Sequence, residues 1–326
     1  MFHKLKKFSF SALFIILLAS NQICFASDLK QLQKKLEAIS KNFKGKIGVS
    51  LHHLKKGDRL DLLGDEKFPT GSTIKVAMLC AVMEKVEKGE LNYYQKFALT
   101  EDDFGGGTGF LKNYKIGKQA TLKELLHFMI TASDNTATRM VLKAVGSDTA
   151  INDWLIKNNL RNTRLNVPYP VGEDVLKNET AKSKLLEQYN QWGLGVSTPK
   201  EMRLLMEMIA AGRAVTVAAS DEMHRILNHQ YFDDGIAGQI PPSVVVASKS
   251  GVEKHSRSDI AIVHAPSGNY VLAIYTKEAQ DTRVVRENEQ DSAVRSISRA
   301  VWQYYQPENK YSPPTGTEKF STGPDW

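Results

Sequence analysis

A mixed α/β fold of the α+β kind is what this sequence predicts: one antiparallel sheet built from both ends of the chain, flanked by helices, with an all-α lobe inserted between its two halves. Three observations predict it. Apolar side chains alternate with period two near the N-terminus, strand-like apolar runs return beyond Pro241, helical periodicity and capping signals fill the stretch between, and turn residues separate the strand runs.

In chain order, residues 28–42 read as an amphipathic helix, followed by a strand over Lys46–His53. Lys55-Lys56-Gly57-Asp58 is a turn, so Arg59–Leu63 returns as the second arm of a hairpin. Ser72–Lys88 is apolar on much of its circumference, which marks a buried helix, closed by Gly89. Thr121 and Glu124 form a capping box opening a helix to about Thr131, and a further helix follows Asn135 and stops near Gly146. The same box recurs at Thr198 and Glu201, with Pro199 in the first helical position. Asn162–Gly195 carries no clean period and reads as a long loop. Strands are expected over Val244–Lys249, Ile260–His264 and Tyr270–Tyr275, the last two joined by the turn Pro266-Ser267-Gly268-Asn269. An amphipathic helix over Asp291–Tyr305 ends the fold, and 306–326 is expected to be a disordered tail rich in Pro, Gly and charge. The sheet lobe would comprise about 27–66 and 243–305, and the helical lobe about 67–242.

Lys4, Lys6 and Lys7 precede an apolar run, Ser11–Ala19, and a small-residue stretch, Cys24-Phe25-Ala26. That is the pattern of a secretory signal peptide over 1–26, cleaved after Ala26; the apolar core is short for a retained membrane anchor. Removing it takes away three lysines and no acid, lowering the formal charge from +7 to +4. The remaining acids and bases alternate without long like-charge blocks, so no nucleic-acid partner is suggested. Only Cys80 survives processing, in an apolar run that reads as core, so no intrachain disulfide is available.

The residues that carry chemistry start with Ser72-Thr73-Ile74-Lys75. A three-residue step on a helix brings both side chains to one face, where the amine can reach the hydroxyl. A serine hydroxyl needs a neighbouring base, and a desolvated lysine serves. Alone this tetrad is a helix cap plus a lysine, but Ser133-Asp134-Asn135 falls at a break between two helices and Lys249-Ser250-Gly251 at the end of a strand.

The three elements in this order resemble the motif set of the class A β-lactamases and penicillin-binding proteins, over about Leu32 to Tyr305. The context resembles that family too: Thr136 after the triplet, Arg257-Ser258-Asp259-Ile260 leading into a strand, and Ser197-Thr198-Pro199 opening a helix. The resemblance implies a β-lactamase/transpeptidase-like fold and a serine hydrolase, with Ser72 acylated, Lys75 taking its proton and Ser133 relaying one to the departing nitrogen. It further implies Asn135 on the substrate's side-chain amide, and Lys249 and Ser250 on its carboxylate with Arg257 as reinforcement. Gly251 leads into the oxyanion-hole amides of Ser72 and Val252. The implied substrate is a small molecule, a β-lactam or a cell-wall peptide; no metal or organic cofactor is implied. The protein would be a periplasmic monomer without stable membrane insertion.

The chain departs from the family where class A enzymes carry a Glu-x-x-x-Asn pattern for the deacylating base. Thr163-Arg164-Leu165-Asn166 resembles the approach to that glutamate, and its register places Tyr169 at the acid's position. Glu173, Glu179 and Glu187 are the candidates, with Glu187 preferred because Asn190 follows and both are nearer Pro199. Slow deacylation would make the protein a penicillin-binding peptidase, and loss of catalysis an exported binding protein. Gly105-Gly106-Gly107-Thr108-Gly109 reads as a flexible cleft wall rather than a phosphate loop, since no Lys-Ser or Lys-Thr follows. His224 and His229 are five apart, which turns them away from a shared helix face and from a zinc site.

Overall fold

The computed structural model describes residues 29–104, 106–166 and 179–320. The expected signal segment over 1–26, Tyr169 and Glu173 lie outside those residues.

Helix α1 (residues 29–42) leads into β1 (Lys46–His53), which is flanked by β2 (Arg59–Leu62) and by β10 (Tyr270–Lys277). With β9 (Ser256–Val263) and β8 (Val246–Glu253) these make a five-stranded sheet in the order β2-β1-β10-β9-β8, antiparallel throughout. Both faces are covered, and the period of two divides the apolar residues between them. Ile260, Ile262, Val271 and Ala273 join the core under the helical lobe, while Ala261, Val263, Leu272 and Ile274 join a second core with Leu36 and Trp302. Trp302 lies on the last helix, α9 (Glu289–Tyr305). The Nε1–H of Trp302 donates to the Asn309 carbonyl at 2.9 Å, and Tyr311 packs on the same core, so the chain leaving α9 is anchored at least that far.

The hairpin β8–β9 is longer than the sequence predicts, pairing continuously from Val246↔Val263 to Glu253↔Ser256. Gly251 and the charged residues around it carry no alternation to read. The extension matters because it places Ser250–Glu253 on the outer edge strand of the sheet.

The helical lobe starts at β3 (Phe68–Pro69) and a 3-10 turn, Gly71–Ile74, that feeds α2 (Lys75–Glu87). Ser72 therefore lies on the tight turn, one turn ahead of the α-helix expected to carry it. Every residue from Lys75 to Met83 is buried, as the all-round apolar pattern requires. The short ribbon of β4 (Lys96–Ala98) and β5 (Gln119–Thr121) leads to α3 (Leu122–Thr131), where Thr121 and Glu124 form both bonds of the capping box. Helix α4 (Asn135–Val145) ends at Gly146 and is followed by α5 (Asp148–Lys157).

The expected loop over Asn162–Gly195 is partly regular. It contains β6 (Arg164–Leu165), paired with β7 (Gly195–Ser197), and α6 (Glu179–Trp192). Helix α6 is rich in good helix formers but polar almost all round, with Leu185 buried, so it offers no amphipathic period. The box expected at α7 (Pro199–Ala210) is half made: Thr198 Oγ1 accepts from Glu201 N at 3.1 Å, but the Glu201 carboxylate turns to Asn162 N and to Thr163 Oγ1. It thereby ties α7 to the start of β6. Helix α8 (Val217–Leu227) completes the lobe. No helix among the described residues is long and apolar enough to cross a membrane.

Candidate active site

The site lies where the turn before α2, the break between α3 and α4, and the edge strand β8 meet. With three residues per turn, positions 72 and 75 fall on one line along the 3-10 axis. The turn touches β8 through two glycines. Gly71 has a φ of +46°, and a Cβ there would stand 2.9 Å from Val252 N. A Cβ on Gly251 would stand 2.4 Å from Thr70 O and 2.7 Å from Ser72 N. Because neither has a side chain, the two backbones cross in contact and leave the amides of Ser72 and Val252 beside each other. Paired amides of this kind suit a developing oxyanion.

Lys75 is fully buried, and its ammonium donates to the Ser133 carbonyl at 2.7 Å, to Ser133 Oγ at 3.2 Å and to Asn135 Oδ1 at 2.9 Å. Those bonds use all three donors of an ammonium, so Ser72 Oγ is not a partner of Lys75 in this state. Burial pushes Lys75 well below the ordinary lysine range and the nearby charge of Lys249 pushes it further, against the pull of Asp134. Lys249 is also fully buried, held down to about 7 by burial with Asp259 opposing, and its ammonium donates to Ser250 O at 2.8 Å. Two buried amines with depressed affinity for protons are what proton transfer near neutrality requires.

Ser133 takes a left-handed φ of 53° at the break between α3 and α4. Asp134 holds it there: one carboxylate oxygen caps α4 through Ala137 N at 2.8 Å, and the other accepts from Phe110 N at 2.7 Å and Leu111 N at 2.9 Å. Thr108 Oγ1 donates to Ser133 O at 2.7 Å, Asn135 N to Thr108 O at 3.0 Å, and Asn135 Nδ2 to Gly106 O at 3.0 Å. The glycine-rich stretch is thus a bound strap across the triplet, not the flexible wall its composition suggests; Gly105 lies outside the described residues. In the sequence Asp134 and Thr108 are named only as members of their motifs, with no contact assigned to either, although Asp before a helix start signals an N-cap.

On β8, Lys249 and Gly251 face the helical lobe, while Ser250 and Val252 share the other face with Asp259 and Arg257, their cross-strand partners. The guanidinium of Arg257 is committed within the fold, with Nε to Asp291 Oδ1 at 2.9 Å and Nη1 to the carbonyls of Glu253 at 2.7 Å and Ser256 at 3.1 Å. It buttresses the hairpin tip, and direct contact with a ligand would cost it one of those bonds. Glu187 is exposed on α6, two residues and about 200° of helix from buried Leu185. His224 pairs with His264, Nε2 to Nε2 at 2.9 Å, and His229 Nδ1 lies 2.7 Å from the Arg225 carbonyl. No group of three metal-ligating side chains occurs among the described residues.

A serine turn at the junction of an antiparallel sheet and a helical lobe, faced by two buried amines, defines the class of β-lactamase-like serine hydrolases. The chain belongs to the beta-lactamase enzyme family, whose family model matches residues 31–305. It is 22% identical to beta-lactamase VEB-1 of Pseudomonas aeruginosa over 286 residues, 84% of this chain and 90% of that protein. It is 25% identical to beta-lactamase ROB-1 of Haemophilus influenzae over 260 residues, 76% of this chain and 78% of that one. Among solved structures, PBP-A superposes with a TM-score of 0.73 at 24% identity, covering 86% of this chain and 97% of PBP-A. A reconstructed ancestral class A beta-lactamase superposes with a TM-score of 0.72 at 25% identity, covering 83% of this chain and 99% of the ancestor.

Proposed function

We propose that this protein is an exported serine β-lactamase that opens the β-lactam ring through an acyl-enzyme on Ser72. The observation that supports this most is the position of Lys75, whose amine links Ser133 and Asn135 one turn along from Ser72. A neutral Lys75 accepts the Ser72 proton as Oγ attacks the lactam carbonyl, and the amides of Ser72 and Val252 receive the oxyanion. The C–N bond breaks as Ser133 Oγ gives its proton to the ring nitrogen and regains one from Lys75. Water then attacks the ester, losing a proton to a base, and Ser72 leaves as the alcohol. Lys249, whose ammonium reaches the Ser250 carbonyl, and Ser250 on the edge strand hold the substrate carboxylate from either side of that strand, and Asn135 its side-chain amide. The protein acts as a monomer in the periplasm, with the signal-like segment removed and lobes dividing near residues 66 and 243.

One observation favours a second reading, a penicillin-binding peptidase with slow deacylation. The preferred base, Glu187, faces solvent, and no Glu-x-x-x-Asn pattern stands in its loop. Steady-state turnover of a chromogenic cephalosporin decides between them. Hydrolysis abolished by Ser72→Ala supports the β-lactamase; a single stoichiometric burst followed by silence supports the peptidase.

A further inference from the structure

Between helix α9 and the sheet face that carries Ser250 and Val252 lies a cavity of about 80 Å³, room for a few water-sized groups such as a small acidic substituent. Arg286 and Arg295 line it, together with Asp234 and Asp291. Asp291 is already paired with Arg257 at 2.9 Å. Arg295 Nη2 is taken up by the Arg286 carbonyl at 2.6 Å and Ser292 Oγ at 3.2 Å. Arg286 differs. Its Nε is buried without a hydrogen-bond partner, and among the described residues its guanidinium makes no ion pair. Burial, and then the neighbouring charge of Arg286, hold Arg295 below the ordinary arginine value. The cavity also carries the carboxylates of Asp234, Asp259 and Asp291, but the unsatisfied buried N–H of Arg286 is a donor that an anion on that side would satisfy.

In a bicyclic β-lactam the carboxylate is carried next to the lactam nitrogen. When that carboxylate is held by Lys249 and Ser250, a substituent further along the same ring extends past Ser250 and Val252 toward Arg286. We propose that Arg286, supported by Arg295, is an anion subsite that selects substrates bearing a second acidic group on the leaving-nitrogen side, beyond the carboxylate grip. The inference rests on the acyl-enzyme reading for the direction in which the substrate lies. The carboxylates of Asp234 and Asp291 on the same cavity restrict the anion to the Arg286 side.

Calorimetry on the Ser72→Ala chain, which binds without reacting, tests this with two cephalosporins that differ only in that substituent, one neutral and one carrying a second carboxylate. The dianionic compound is expected to bind about tenfold more tightly. Arg286→Gln should erase the preference and leave the Kd of the neutral compound within about twofold, a change small against that gap. Arg286→Lys, which keeps the charge but loses the fork, should retain part of it, and serves if the glutamine variant does not fold. Equal affinities in the parent, or equal weakening of both compounds by Arg286→Gln, overturn the subsite. Wild-type turnover is measured alongside. Binding preference without hydrolysis would sink the β-lactamase and keep the subsite, and hydrolysis without preference would do the reverse.

Discussion

The ammonium of Lys75 lies 3.2 Å from the hydroxyl of Ser133, and the same ammonium is bonded to the Ser133 carbonyl at 2.7 Å. One lysine therefore fixes the left-handed backbone of Ser133 and stands ready to exchange a proton with its side chain. The nucleophile turn with α2 and the break between α3 and α4 are joined through that contact.

Replacing Lys75 with Ala should slow acylation by about 10²–10⁴-fold, the range for losing a positioned base. The acylation rate with a fluorescent penicillin measures it, with circular dichroism confirming the fold. Acylation within about threefold of wild type would remove Lys75 from the chemistry.

The pH dependence of kcat/KM follows from the two amines. Lys75 must be neutral to accept a proton, so the rate rises with pH through its depressed value and that limb lies well below the ordinary lysine range. Lys249 must be charged to hold a carboxylate, so the rate falls as pH rises through about 7. Lys249→Arg, which stays charged, should move the falling limb to higher pH. A limb unchanged in Lys249→Arg would assign it to another group.

Gly251→Ala tests the backbone crossing. Its Cβ would meet Thr70 O at 2.4 Å and Ser72 N at 2.7 Å, both backbone atoms that cannot swing away. The displaced amide should cost about 10²–10³-fold in acylation, as for a lost oxyanion donor. Steady-state kinetics and a thermal melt separate that loss from unfolding.

Asp134→Ala leaves the amides of Phe110, Leu111 and Ala137 without their acceptor. A destabilisation of about 2–4 kcal/mol is expected. Hydrogen exchange should rise at residues 106–111, and urea melts give the magnitude.

Glu187→Gln should leave the lifetime of the acyl-enzyme within about twofold of wild type, because the carboxylate faces solvent rather than a reacting water. A lengthening beyond tenfold would restore Glu187 as the deacylating base.

The frame was legible because its signals are local. Alternation over Lys46–His53, the short apolar run Tyr270–Tyr275, the box at Thr121 and the glycine stop at Gly146 each report a structure formed by near neighbours. Ser72, Lys75, Ser133, Asn135 and Lys249 were legible as an ordered set, though their convergence depends on contacts between distant segments. What escaped the sequence is what tertiary packing decides. Gly251 against Ser72, Asp134 under the glycine strap, and Glu201 reaching Asn162 instead of its own helix end are pairings between segments distant in sequence that no local period reveals. Helix α6 escaped because a helix with so narrow a buried stripe looks like a loop.

Intact-mass spectrometry of the full chain after mixing with penicillin, followed over time, tests most directly whether Ser72 carries a hydrolysable acyl group. The expected record is an adduct of one penicillin mass that forms, maps to Ser72 and disappears as free penicilloic acid accumulates. An adduct that persists, that maps elsewhere, or that still forms in Ser72→Ala would contradict it.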